Sequence, residues 1–133
     1  MKTTRVRTEL VIEGERIEPE IVTKKLEMTP DIIHKKGEML KNNRMRKNGS
    51  WGIIQEFEES YDISIQLNKL IELVKGKEDK IREIKEYYDG IIIVSVVIEV
   101  ENSEVPGIVI ENRISALMAK LGAEIDIDIY LLS

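Results

Sequence analysis

Residues 91–100, IIIVSVVIEV, limit the fold more than any other stretch of the chain. Seven of the first eight side chains are isoleucine or valine, whose branched Cβ atoms suit a pleated strand better than a helix. The run is too short to cross a bilayer as a helix, which takes about 20 residues. Apolar side chains fall at both parities, so the stretch predicts an inner strand covered on both faces. Such a strand requires a sheet around it and helices to cover that sheet.

The other segments supply both. TTRVRTELVIEG (3–14) alternates Val6, Thr8, Leu10 and Ile12 against Arg5, Arg7, Glu9 and Glu13, a half-buried strand closed by Gly14. IEPEIVTKKLEMTP (17–30) predicts a short helix with Pro19 in its first turn, Ile21 and Leu26 facing the core with Val22 as a third candidate, and Pro30 as its stop. A long connection at about 29–50 leads to a second strand, SWGIIQEFE (50–58). YDISIQLNKLIELVKG (61–76) predicts a helix with Ile63, Leu67, Leu70, Ile71 and Val74 on one face. Asp62 or Ser60 would cap it and Gly76 would end it. KEDKIREIKEYYDG (77–90) predicts a more exposed helix with a thin stripe of Ile81, Ile84 and Tyr88. IENRISALMAKLG (110–122) predicts a last helix ended by Gly122. AEIDIDIYLL (123–132) predicts a last strand, with Ile125, Ile127, Ile129 and Leu131 inward and Glu124, Asp126, Asp128 and Tyr130 outward.

At 133 residues the chain is sized for one domain. Its two ends resemble each other over about 30 residues, the length of a strand–helix–strand unit. The order β-α-β-α-α-β-α-β therefore predicts an α+β ferredoxin-like sandwich of two βαβ halves on a mostly antiparallel four-stranded sheet. The helical pair at about 62–88 would cover the sheet's second face. The last strand would lie antiparallel beside the first. Glu124, Asp126 and Asp128 would then pair with Arg5 and Arg7 across the strands, each pair adding little. That is preferred to a metal site, because alternate side chains on a strand stand about 7 Å apart.

Charge is distributed unevenly. The chain carries −5 overall, which argues against general nucleic-acid affinity. Residues 34–47 hold six Lys or Arg and one Glu, a local +5, which leaves −10 elsewhere. That basic connection also contains the only histidine and adjoins the only tryptophan. Its candidate ligand-binding residues are His34, Lys35, Lys36, Gly37, Arg44, Arg46 and Trp51: cations and backbone N–H groups for a phosphate or carboxylate, with the indole as a wall. The plainer expectation is a solvated, mobile loop that offsets an acidic body, with Trp51 plugging the core. His34 lacks a nucleophile at any recognisable spacing, so no catalytic residue is assigned. With no cysteine, neither a disulfide framework nor a thiolate metal site can form. The first residues lack an apolar stretch of signal-peptide length. These features predict a cytoplasmic protein with no cofactor, no metal, no nucleic-acid partner and no membrane partner.

The chain also resembles an uncharacterised bacterial family, domain of unknown function 4279. The resemblance rests on IEPEIVTKKLEMTP, HKKGE, SWG opening a strand, and the ending LMAKLGAEIDIDIY, in that order over almost the whole chain. Family members usually place a glycine after the leucine of the first helix, where this chain has Glu27. The resemblance implies a compact α/β domain and supplies no catalytic residues.

Together these readings predict a non-enzymatic protein-binding module for a partner with a basic surface, analogous to an immunity protein that blocks a basic toxin. The alternatives are an anionic small-molecule site or small enzyme at the basic connection, and a homodimer with no ligand site.

Overall fold

The computed structural model describes residues 2–132. β1 (Arg5–Gly14) follows the predicted alternation, burying Val6, Thr8, Leu10 and Ile12. α1 (Pro19–Leu26) starts at its proline and buries Pro19, Val22 and Leu26, while Ile21 is exposed. β2 (Ile32–His34) is a short strand that the sequence reading did not anticipate. β3 (Gly49–Glu59) follows, then α2 (Ile63–Val74), capped by the Asp62 carboxylate, which accepts from the Ser64 N–H at 3.0 Å. α3 (Glu78–Tyr88) carries Glu78 and Asp79 in its first turn and Lys85 in its last, matching the helix dipole. β4 (Ile91–Val100), α4 (Asn112–Leu121) and β5 (Ala123–Leu131) complete the chain, with Gly122 closing α4 in the left-handed region at φ 67°.

The five strands form one sheet in the order β2-β3-β1-β4-β5. β1 pairs antiparallel with both β3 and β4, and β2 pairs antiparallel with β3. β4 and β5 run parallel through α4, the kind of connection that parallel neighbours require. The expected four-stranded, ferredoxin-like arrangement is therefore corrected to a five-stranded mixed sheet. The reason is steric. Both edges of β1 are already occupied by β3 and β4, and the α4 crossover brings β5 back in parallel onto the free edge of β4.

One face of this sheet carries the core. Trp51, Ile53, Val94, Val96 and Ile98 pack there with Leu67, Leu70, Ile84 and Ile114 from the helices. A polar inclusion sits among them, where Thr8 Oγ1 lies 3.1 Å from Gln55 Oε1 and 3.2 Å from the Gln66 carbonyl. β4 is an inner strand as expected, but only one of its faces is covered. Ile92, Val94, Val96, Ile98 and Val100 are buried, whereas Ile93, Ser95, Val97 and Glu99 are half-buried and Ile91 is exposed. The α2–α3 pair does not cross to the second face. α2 packs on β1 and β3 from the core side, and α3 leans on α1 and α4.

Candidate functional site

The basic connection is hydrogen-bonded structure, not a plain loop. After β2, the chain makes a small hairpin held by Gly37 N–H to Arg46 O (2.9 Å), Arg46 N–H to Glu38 O (2.8 Å) and Leu40 N–H to Arg44 O (2.7 Å). Gly37 at φ 91° and Asn43 at φ 61° supply its left-handed turns. Met39 and Met45 bridge across it, and both side chains are exposed.

The predicted cations divide into two groups. Arg44, Arg46 and Lys47 come together with Asn48 and Ser50 around a shallow depression of about 300 Å³. Glu13 also lines that depression, and Glu38 lies 3.6 Å from Arg46, so carboxylates already offset part of the positive field. Lys35 instead pairs with Glu20 on α1 at 2.5 Å. That hydrogen bond lowers the Glu20 pKa and raises the Lys35 pKa from their ordinary values. His34 faces Ser50 across the β2–β3 pairing but does not line the depression, and Lys36 is exposed away from it. Trp51 is fully buried, and its Nε1–H donates to Thr23 Oγ1 at 3.0 Å. The indole therefore seats the return strand against α1 and walls no pocket. Of the seven candidates, Arg44 and Arg46 line the depression and the other five do not.

The acidic row also lies elsewhere than expected. Glu124, Asp126 and Asp128 run alongside Ile93, Ser95 and Val97 of β4, with that strand between them and β1. The expected pairing with Arg5 and Arg7 is thus corrected. Arg5 pairs with Glu99, and the Arg5 and Arg7 guanidiniums sit 4.1 and 5.0 Å from the Phe57 ring centroid. Among the described residues the three acids form no ion pair, and no group of His, Cys, Asp or Glu is placed to hold a metal.

The surface that sequence reasoning missed is the sheet face opposite the helices. Val11, Ile93 and Val97 form a half-buried apolar strip along its centre, broken at Ser95, with Ile32 and Ile54 beside them over Gly52. Seven carboxylates stand on its strands: Glu9 and Glu13 on β1, Glu59 on β3, Glu99 on β4, and the three of β5. They face two guanidiniums, Arg5 and Arg7. The clue was in β1, whose outward side chains are charged throughout except Val11. A helix laid over that row would bury ionised groups at high cost, so no helix lies there.

No helix among the described residues is long and apolar enough to cross a membrane. The family model for Domain of unknown function (DUF4279) matches residues 3–132, and the chain belongs to that family. No curated protein and no solved structure gives a significant match to it.

Proposed function

We propose that this DUF4279 member is a non-enzymatic protein-binding module whose open sheet face receives a partner carrying a basic surface. The observation that carries this reading is the helix-free face itself, a central apolar strip bordered by seven carboxylates and two arginines. Four strands of nine to eleven residues and the three-residue β2, spaced about 4.8 Å apart, offer a face of about 600–700 Å². That is close to one partner's share of a standard interface, about 800 Å². The strip supplies desolvation, and the acids supply steering and register.

Binding assays test this with the wild-type chain and an Ile93→Lys/Asp126→Lys/Asp128→Lys variant. The wild type captures a protein of strongly basic surface from the native host, and capture weakens as salt rises toward about 1 M. The variant loses that capture while keeping its circular dichroism spectrum. A partner held equally by the variant, or one with an acidic surface, would refute the reading.

A second reading has one specific observation behind it, the meeting of Arg44, Arg46 and Lys47 around the 300 Å³ depression. There an anionic small molecule would bind through the two guanidiniums. Thermal-shift measurements with phosphorylated and carboxylated metabolites, repeated on Arg44→Ala and Arg46→Ala, decide it.

A further inference from the structure

β5 is a long sheet edge whose only charges, Glu124, Asp126 and Asp128, stop short of its last three residues. Natural edges are blunted by shortness, charged side chains, proline or a bulge. The opposite edge, β2, has three residues and runs straight into the cationic hairpin. β5 has nine residues, and positions 123–132 contain no proline, lysine or arginine. Its register with β4 is unbroken from Ala123 to Leu131. Its C-terminal half extends past the cover of α4, leaving Ile129 47% and Leu131 75% exposed. The Leu132 N–H donates to the Val100 carbonyl at 2.9 Å, which sets the parity of the edge. Even-numbered residues bond to β4, and odd-numbered residues turn their N–H and C=O groups outward. The outward backbone groups thus belong to Ile125, Ile127, Ile129 and Leu131, whose side chains share the helix side of the sheet.

We propose that two copies of the chain join edge to edge through β5, antiparallel about a two-fold axis at Ile129, making one continuous sheet. The charge pattern selects both partner and register. An axis at Ile127 would set Asp126 directly against Asp128 of the second copy, twice, and like charges directly opposite are destabilising. An axis at Ile129 sets Asp128 against Tyr130 and Ile127 against Leu131 of the second copy. Each strand supplies what the other lacks. Ile127, Ile129 and Leu131 of both copies then form one apolar cluster below the sheet, which is the self-complementarity that a two-fold interface requires. On the open face the Asp126 and Asp128 rows of the two copies lie on either side of the seam. The partner site becomes composite, a consequence that rests on the open-face reading although the seam does not.

The two acid rows repel across the seam, so salt tightens this dimer while it loosens a complex with a basic partner. Light scattering on the full chain at submillimolar concentration tests the seam. The wild type gives twice its 15.3 kDa mass, with a dissociation constant several-fold lower near 1 M than near 0.1 M salt. Ile129→Pro removes only an outward N–H, and Leu131→Lys places a charge on the exposed seam. Each gives a monomer with an unchanged circular dichroism spectrum. Should the proline variant fail to fold, Leu131→Lys alone decides. A monomeric wild type at both salts, or a Leu131→Lys variant that stays dimeric, overturns the seam. Capture of a basic partner by that monomer leaves the open-face reading standing.

Discussion

Glu27 ends α1 at φ 53° and ψ 42°, a left-handed conformation that costs an L-residue about 1–2 kcal/mol. The sequence signals this position only through the family resemblance, which implies a glycine after Leu26. The helix nonetheless ends in the glycine geometry with a glutamate in it, its N–H donating to the Thr23 carbonyl. The side chain returns little, since its contact with Lys77 is 3.9 Å long and exposed. Glu27→Gly should therefore raise stability by about 0.5–1 kcal/mol after the entropy of glycine is charged. Thermal denaturation should show a rise of about 2–4 °C, and a fall would mean that the carboxylate holds α1 in some other way. Gly49 is the opposite case. A Cβ built there meets the Ile17 carbonyl oxygen at 2.6 Å, so backbone must move to admit it. Gly49→Ala should cost about 2 kcal/mol or more, read as a lower urea midpoint with an unchanged slope.

α2 and β3 are tied together at Glu58. Its carboxylate accepts from Lys69 Nζ at 2.7 and 2.8 Å and from Gln66 Nε2 at 3.0 Å. The lysine bond, followed by the glutamine bond, lowers its pKa from the ordinary 4.5. A carboxyl whose folded pKa is depressed adds stability above the unfolded value and loses it as pH falls through the folded one. Glu58→Gln should thus lower the urea midpoint at pH 7. The gap to wild type should close as pH falls below 4.5, and a gap independent of pH would exclude the ionic tie. Elements of this size were legible in the chain because period two and period 3.6 leave repeated marks. All four helices and the four long strands lie where the apolar spacing puts them. β2 left no such mark. Three residues are too few for a period, and its pairing depends on Gly52 admitting Ile32 beside Val11. Strand order was hidden for another reason: periodicity says which side of a strand is buried, not which strand lies beside it. The open face is not legible from β4 alone. Its apolar run implied cover on both faces, while the charged side of β1 next to it excluded a helix.

The whole molecule is electrically two-sided, and this asks whether the hairpin cations balance the fold or serve a ligand. The two roles predict opposite signs of stability. Cations gathered for a ligand repel one another, so removing them relieves the folded state. Cations that offset an acidic body lower its self-repulsion, so removing them costs stability. Lys36, Lys41, Arg44 and Lys47 form no ion pair among the described residues and can be changed without breaking one. Replacing all four with glutamine takes the formal charge from −5 to −9. With seven carboxylates on the open face, the balancing role expects the variant to melt below wild type near 0.1 M salt. The loss is about 1 kcal/mol in total and shrinks near 1 M, where the screening length falls to about 3 Å. A rise in melting temperature would instead mark the hairpin as a strained anion site and return the depression beside Arg44 and Arg46 to first place. The geometry favours the fall, because Glu13, Glu20 and Glu38 already stand against the hairpin's positive charge.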